Sequence, residues 1–296
     1  MDTQTTPDRL PRYVRHRHRR PAFALQLRDG EIVRLVAQHR VIASGDIQLL
    51  LGGSEQGILR RLQKLFHAGY LDRPRSQRQL GNAPMVYALG QQGADLVARE
   101  TGKRPIADWA EKNRQLRTHY LEHALMVSRF HVALRHAAQP RGDVALDRWL
   151  ADGAVRDAVV VQRDGRRERI PIAPDAFFTL NVSDADNPGR IHVMLEADRG
   201  TMSVPRFAQK IRGYFAWWRS GQAEERMGMK NFIVATITRS EERADHLLAA
   251  ARSVAERGTR IFIFAPESAY LPASRALVLN AIWRTPDDDV LHTLLE

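Results

Sequence analysis

The spacing of apolar residues changes near residue 144, and this change limits the fold. Up to residue 138, apolar side chains recur three and four positions apart, which is typical of amphipathic helices. Beyond Val144, short runs rich in Val, Ile and Phe are typical of strands and lie at 155–161, 174–180, 191–197, 231–237 and 260–265. Helical patterns at 204–219 and 241–257 separate the later runs. The sequence therefore predicts α+β architecture overall: a mainly helical domain, then an α/β domain with a mixed sheet.

The net positive charge is concentrated in the first half of the chain. The chain has 45 basic and 34 acidic residues, a formal net charge of +11. Residues 1–100 carry 16 basic and 9 acidic residues, whereas residues 151–296 carry 20 of each. A local basic excess indicates a polyanionic partner, and duplex DNA is the leading candidate.

Two absences exclude whole classes of protein. The chain has no cysteine, so a disulfide scaffold, a thiolate zinc site and a cysteine nucleophile are excluded. No apolar run approaches the roughly 20 residues that cross a bilayer, and the first 20 residues are polar and arginine-rich. We therefore expect a cytoplasmic protein without a membrane segment.

Residues 1–27 are predicted to form a basic N-terminal arm. Residues 9–20 contain six arginines and two histidines among few apolar residues, too few to fold alone. Such a segment is either a solvated tail or an arm that follows DNA phosphates or enters a minor groove. On the second interpretation the DNA contacts are Arg12, Arg15, Arg17, Arg19 and Arg20.

Residues 28–104 have the order of elements of a winged helix-turn-helix domain. A first helix ends near His39, Ser44 is placed to cap a second short helix, and Gly52-Gly53 ends that helix. Ser54 is placed to cap a third helix, 55–68, with an apolar stripe of Ile58, Leu62, Leu65 and Phe66.

An arginine-rich segment follows the third helix. It begins near Leu71, leads into the short strand MVYAL and is closed by a helix over 91–100. Two short strands joined by a basic loop form a wing, so the segment resembles the winged helix-turn-helix domains of bacterial regulators. The alternative is a small helical domain that binds protein.

The third helix and the wing supply the predicted DNA contacts. The N-terminal half of helix 55–68 is expected in the major groove, where Gln pairs with adenine and Arg with guanine. The wing arginines are expected on phosphates, which position the protein without reading sequence. The predicted contacts are Ser54, Gln56, Arg60, Arg61, Lys64, Arg73, Arg75 and Arg78.

Residues 108–296 are predicted to be a second domain that begins with a long helix, Asp108 to Ala138. Its apolar stripe is Leu116, Tyr120, His123, Val127, Phe130 and Leu134. His123 is therefore either a buried, hydrogen-bonded histidine or a residue with an acid–base or ligand role. Pro286 to Glu296 is predicted to be a last short helix with an acidic start.

Three carboxylates are predicted to lie together at the end of two strands. Asp175 opens one strand, and Glu196 and Asp198 end the next, where residues i and i+2 project to one face. Three carboxylates repel one another, and a hard cation such as Mg²⁺ or Mn²⁺ relieves this repulsion. Lys210, one helix later, is placed to reach the same cluster and to stabilise a phosphate under attack by water.

This pattern, preceded by a long helix, resembles the PD-(D/E)xK nuclease fold. The resemblance implies Asp175, Glu196 and Asp198 as metal ligands and Lys210 as the catalytic lysine. One feature departs from that family, because Asp198 stands where its lysine follows the acid by two residues. Lys210 matches members that carry the lysine on the next helix. Tyr214, four residues later, lies where the RecB-like branch has a Gln/Tyr pair.

The chain as a whole resembles the replication-relaxation proteins of plasmids and integrative elements. The motifs that carry this resemblance are PDAFFTL, MLEADRGTMSVPRFAQKIRGYFAWW and LEHALMVSRFHVAL, within roughly residues 28–285. The resemblance implies a DNA-binding protein of plasmid replication, relaxation or mobilisation. On this resemblance the motif positions are Asp175, Glu196, Asp198, Arg199, Gly200, Thr201 and Lys210. The candidate residues that would support the carboxylate cluster are His123, Arg199, Thr201 and Tyr214. The alternative is an ion-pair network that braces the sheet.

Three functions are therefore carried forward. The first is a DNA-binding accessory protein of a mobile element, or a transcriptional regulator. The second is a Mg²⁺-dependent endonuclease or nickase that uses the carboxylate cluster with Lys210. The third is a scaffold that contacts a relaxase or replication protein through exposed aromatic residues. Duplex DNA is the expected partner, and a second copy of the chain is considered as well.

Overall fold

A computed structural model describes most of the chain and divides it into two compact units. The first unit extends to Arg129 and the second begins at Phe130. The described residues are 12–15, 23–81, 83–105, 118–151, 153–163, 165–183, 188–254, 260–271 and 275–295. The boundary between the units lies inside a helix, whereas the sequence pattern predicts a boundary before that helix.

The first unit combines helices with a small antiparallel sheet. Its elements are α1 (Leu27–Ala37), β1 (Ile42–Ala43), α2 (Ser44–Leu51), α3 (Glu55–Ala68), β2 (Leu71–Asp72), β3 (Val86–Leu89), α4 (Gln91–Thr101) and the first half of α5 (Thr118–Ala138). The strand order is β1-β3-β2, and β3 pairs antiparallel with both neighbours. All four residues of β3 are buried, so this strand is the centre of the sheet.

Helix α3 begins and ends where the sequence predicts. The Ser54 hydroxyl accepts a hydrogen bond of 3.2 Å from the Gly57 amide, so Ser54 is the N-cap. Gly69 ends the helix with a φ of 86°, a left-handed conformation that glycine adopts without strain. Ile58, Leu62 and Leu65 are buried along one face. The other face of α3 is left for polar side chains.

Three local predictions in this unit are corrected. Ser44 is the first residue of α2 and its side chain forms no cap, since Ala43 occupies the N-cap position. The predicted open wing loop contains a 3-10 helix over Arg75–Leu80. Tyr120 is 53% exposed, whereas Leu121 is buried in a cluster with Val41 and Val86, so the apolar stripe is displaced by one residue at the start of α5, while Phe130 and Leu134 are buried as predicted. Residues 106–117 lie outside the described residues.

The second unit is built on a seven-stranded mixed sheet. The strands are β4 (Val144–Ala151), β7 (Ala176–Val182), β8 (Gly189–Asp198), β9 (Ile233–Thr238), β10 (Phe262–Pro266), β11 (Trp283–Arg284) and β12 (Leu291–His292). The order is β12-β11-β10-β9-β8-β7-β4, with β8, β9 and β10 parallel and the other pairs antiparallel. The predicted mixed sheet is confirmed.

Further elements cover this sheet. They are the hairpin of β5 (Asp157–Arg163) and β6 (Arg166–Ile172), and the helices α6 (Val204–Arg219), α7 (Gln222–Met227) and α8 (Glu241–Arg252). Phe207 of α6 packs on Phe264 of β10, with ring centroids 6.2 Å apart. Phe130 of α5 packs on Phe178 of β7 at 5.8 Å, on the face opposite to Phe177. The sheet is therefore buried on both faces.

The outermost described strands of the sheet differ in length. Strand β12 has two residues and β4 has eight. The register between β4 and β7 shifts between Leu146 and Arg148, so Asp147 is the extra residue of a β-bulge. Asp147 and Arg148 are both exposed.

The end of the chain differs from the prediction. Residues 286–295 form turns around the short strand β12, and no helix begins at Pro286. The polar residues of this segment hold the turn, because Asp288 accepts a 3.2 Å hydrogen bond from the Val290 amide and contacts His292 Nε2 at 2.8 Å. Among the described helices, none is long and apolar enough to cross a membrane.

Candidate functional site

The outer face of α3 presents three polar side chains at helical spacing. Gln56, Arg60 and Lys64 are four residues apart and exposed, so they lie on one face of the helix. The apolar face opposite them is buried in the first unit. Ser54 is exposed at the start of the helix, where its hydroxyl serves as the cap. These predicted DNA-contact residues are accessible.

Arg61 does not share this outer face. Its Nε donates a 2.8 Å hydrogen bond to Asp29 Oδ1, and a second guanidinium nitrogen contacts Asp29 Oδ2. Asp29 is completely buried in α1, and the guanidinium lies 5.1 Å from the ring centroid of Phe23. The predicted DNA contact of Arg61 does not fit this position, because the guanidinium joins α3 to α1.

The wing arginines are divided between surface and core. Arg75 and Arg78 are exposed. Arg73 is only 6% exposed, donates a 2.8 Å hydrogen bond to the Tyr87 hydroxyl and lies 4.3 Å above the ring of Phe66. The predicted phosphate contact of Arg73 is therefore corrected, because its charge is held inside the unit by aromatic rings and a hydroxyl.

Two arginines of the arm lie among the described residues. Arg12 is exposed and its carbonyl accepts a hydrogen bond from Arg73. Arg15 donates to the carbonyls of Phe66 at 2.9 Å and Leu71 at 2.6 Å, so it fastens this part of the arm to the unit. Arg17, Arg19 and Arg20 lie outside the described residues, and their DNA contacts stay predictions.

In the second unit, the pairing of β7 with β8 brings Asp175 beside the end of β8. Ala176 is opposite Leu195 in this antiparallel pair. The Asp175 amide donates to the Leu195 carbonyl at 2.9 Å, and Asp175 Oδ2 accepts from the Ala197 amide at 2.8 Å. The strand pairing therefore places Asp175 opposite Glu196 at the end of β8.

Glu196 is the centre of a buried polar group with Lys210 and Tyr214. The Tyr214 hydroxyl donates to Glu196 Oε1 at 2.5 Å, and Lys210 Nζ donates to Glu196 Oε2. Lys210 and Tyr214 are one turn apart on α6, which lies over this end of the sheet. Glu196 is 4% exposed and Tyr214 is fully buried. The structure thus joins three of the predicted site residues.

Burial and the charge of the partner act in opposite directions on the pKa values of Glu196 and Lys210. Desolvation raises the pKa of Glu196 from 4.5 to about 7, although attraction by Lys210 opposes the rise. Burial would lower the pKa of Lys210, but Glu196, Asp175 and Asp198 outweigh it, so that pKa is raised. Desolvation also raises the pKa of Tyr214, so its hydroxyl stays a proton donor to Glu196.

Asp198 has a different set of partners. Its Oδ1 accepts from Arg243 Nε at 2.8 Å and from the Gly200 amide at 2.7 Å, and its Oδ2 accepts from Arg243 Nη2 at 3.0 Å. Arg243 lies in the first turn of α8 and also donates to the Met202 carbonyl at 2.6 Å. Asp198 is 6% exposed, so this is a largely buried ion pair that joins β8 to α8.

These contacts decide whether the three carboxylates fit a divalent cation. Both oxygens of Glu196 and both oxygens of Asp198 accept hydrogen bonds from protein donors. Asp175 directs Oδ2 at a backbone amide. Within the described part of the chain, no group of three His, Cys, Asp or Glu side chains could hold a metal ion. The predicted Mg²⁺ or Mn²⁺ site at Asp175, Glu196 and Asp198 does not fit this arrangement.

The remaining predicted support residues are spread over the chain. Arg199 is half-buried and Thr201 is exposed, directly after β8. His123 is half-buried on the part of α5 that belongs to the first unit. Arg243 was not predicted, because no spacing in the sequence links it to Asp198. The arginines of the β5–β6 hairpin were not predicted either, although the run QRDGRRER over 162–169 was visible.

Comparison with known proteins gives one result at the family level. No curated protein and no solved structure matches the chain. The family model described as replication-relaxation matches residues 33–233, which is more than half of the chain and spans α3 as well as Glu196, Lys210 and Tyr214. The chain therefore belongs to the replication-relaxation family.

Proposed function

We propose that this protein binds duplex DNA through α3 as an accessory factor in the replication, relaxation or mobilisation of a mobile element. The observation that carries this proposal is the exposed face of α3, where Gln56, Arg60 and Lys64 stand in a row above a buried apolar face. Gln and Arg are side chains that recognise base edges in the major groove. Membership of the replication-relaxation family supports the connection with DNA.

The first unit offers the parts of a winged helix-turn-helix domain. Helices α2 and α3 are joined by Gly52, Gly53 and Ser54, and a small sheet follows α3. On this proposal α3 is the recognition helix and the exposed Arg75 and Arg78 meet phosphates on the wing side. Arg61 and Arg73 hold the domain together instead, since both guanidinium groups are bonded inside it.

Sequence reading and phosphate binding predict different effects for two arginine variants. Arg60→Ala should reduce discrimination between a selected site and competitor DNA by roughly 5- to 100-fold, because a base contact is worth about 1–3 kcal/mol. Arg75→Ala should weaken binding to both DNAs about equally and reduce the salt dependence. Selection of bound sequences by the full chain, followed by titrations at several salt concentrations, measures both effects.

Arg99→Ala provides the matched control for this experiment. Arg99 is exposed on α4 and lies outside the proposed surface, so its loss removes the same charge from the same unit. We expect this variant to retain the discrimination of the parent. Equal losses of discrimination from Arg60→Ala and Arg75→Ala, or a loss from Arg99→Ala as large as theirs, would refute the assignment of α3 to the major groove.

For the second unit we propose that the Glu196 group braces the sheet against α6 and is not a nuclease centre. Lys210 and Tyr214 each donate to one oxygen of Glu196, and Arg243 donates to both oxygens of Asp198. Buried carboxylates whose oxygens already accept strong hydrogen bonds are poor ligands, since a cation must first displace those donors. The endonuclease alternative depends on such a displacement in the presence of DNA.

A plasmid nicking assay separates these two roles. We expect no relaxation of supercoiled plasmid by the parent protein with Mg²⁺ or Mn²⁺. Glu196→Ala and Lys210→Ala should lower the melting temperature, because the first leaves the Lys210 ammonium without its partner and the second removes a hydrogen bond and the attraction that offsets the burial of Glu196. Metal-dependent nicking by the parent that is lost in both variants, while DNA binding persists, would replace the bracing role with the nuclease.

A further inference from the structure

The β5–β6 hairpin has two faces of opposite character. Paired residues of an antiparallel ribbon share a face, and Val159 is opposite Ile170 on the inner one. Both are buried in the core under α6. Gly213 of α6 makes this contact possible, because a Cβ atom there would lie 2.5 Å from Ile170 Cγ2. The inner face of the hairpin therefore packs directly against α6.

The outer face of the hairpin carries cations. Val160 is opposite Arg169 and Gln162 is opposite Arg167, and all four residues are exposed. Arg166, at the turn end of β6, is exposed as well, although its pairing with Arg163 places it on the other face of the ribbon. Within the described part of the chain, these three arginines have no hydrogen-bond or ion-pair partner. Their guanidinium groups are thus available to a ligand.

The acidic side chains of the hairpin strands face inward. Glu168 accepts a hydrogen bond from Gln209 of α6. Asp157 accepts a 2.7 Å hydrogen bond from Trp217 Nε1 and forms an ion pair with Arg226. Residues 151–296 contain equal numbers of basic and acidic residues, so the positive outer face is a local feature of a unit with balanced charge.

We propose that the outer face of this hairpin is a second DNA-binding surface that contacts the phosphate backbone of duplex DNA. Exposed guanidinium groups on the outer face of the ribbon can bind phosphate oxygens directly, and such contacts carry no base preference. The surface belongs to the second unit and does not depend on the contact proposed for α3.

The test removes two charges from the outer face. Arg167→Gln/Arg169→Gln in the full chain should weaken binding to duplexes of any sequence and reduce the slope of log K against log salt by about 2. Its matched control is Lys230→Gln/Arg239→Gln, which removes two exposed charges from the loops that flank β9. The control should bind as the parent does, and both double variants should melt at the parent's temperature.

A crosslink locates the contact directly. A photo-crosslinking amino acid in place of Gln162, between the arginines, should label a bound duplex, and the same group in place of Glu224 on α7 should not. An unchanged salt slope for the hairpin variant, or no crosslink from position 162, would overturn the proposal. Loss of binding to RNA or to anionic vesicles, with duplex binding intact, would also overturn it in favour of that ligand.

These results are separable from those for α3. If the hairpin proposal fails and the α3 proposal holds, Arg60→Ala lowers discrimination while the hairpin variant binds normally. If α3 is not the recognition helix, Arg60→Ala has no effect on discrimination, but the hairpin variant still lowers the affinity and the salt slope.

Discussion

Replacing Arg61 with methionine is expected to lower the free energy of unfolding of the first unit by about 3–5 kcal/mol. The carboxylate of Asp29 is completely buried, and among the described residues Arg61 is its ion-pair partner. Removing the guanidinium leaves a charge in the core whose remaining donor, within the part of the chain that the structure describes, is the Gln26 amide at 2.8 Å. The methionine retains most of the packing of the arginine stem, so the loss reports the charge.

The neighbouring residue supplies the control. Arg60 precedes Arg61 on the same helix but is exposed, so Arg60→Met should change stability by no more than about 0.5 kcal/mol. Hydrogen exchange of the α1 and α3 amides measures the effect within the first unit. Asp29→Leu/Arg61→Met should recover much of the loss, because no buried charge remains. A cost for Arg61→Met no larger than that of Arg60→Met would contradict the bracing role.

The second unit is expected to lose stability as the pH rises from about 4.5 to above 7. Burial raises the pKa of Glu196 to about 7, so the folded state binds this proton more tightly than the unfolded state does. The resulting stabilisation is complete below the unfolded value of 4.5 and is lost as the pH passes the folded value. At about 1.4 kcal/mol for each pKa unit, the change amounts to about 3 kcal/mol.

Glu196→Gln isolates this effect from all other titrations. Glutamine can still accept from Tyr214 but does not ionise, so the difference in unfolding free energy between parent and variant should follow the titration of Glu196. Glu224→Gln, on the exposed surface of α7, is the control. Urea unfolding monitored by tryptophan fluorescence at several pH values gives the profile. If the unfolding free energy of the parent instead rises relative to that of Glu196→Gln as the pH rises, then the attraction by Lys210 outweighs the effect of burial on the pKa of Glu196.

Local signals explain which parts of the first unit the sequence predicts. Helix α3 is predicted at both ends because the Ser54 cap, the apolar stripe and Gly69 all agree. The wing shows the limit of such signals. Composition marks its arginines as a group, but only the packing of Phe66 and Tyr87 turns Arg73 inward and leaves Arg75 in solvent.

The candidate site in the second unit is predicted only in part. The i, i+2 relation places Glu196 and Asp198 on one face of β8. Helix periodicity likewise places Lys210 and Tyr214 on one face of α6. Glu196 and Asp198 bind partners on two different helices, α6 and α8. Arg243 is 45 residues from Asp198 in the sequence, so no local pattern predicts this ion pair. Strand β6, with the sequence RRERIPI, was missed because its exposed arginines obscure the apolar alternation.

The bulge in β4 has a consequence for how the protein behaves at high concentration. A long outer strand exposes unpaired amide and carbonyl groups, and such an edge can recruit a strand from another molecule into an aggregate. The shifted register at Asp147 twists the edge, and the exposed charges of Asp147 and Arg148 would be desolvated by an incoming strand. At the opposite side, the two residues of β12 are too short to template a partner. The sheet is therefore built from Val, Ile and Phe runs that favour aggregation, but its two outer strands oppose the addition of a strand from a second molecule.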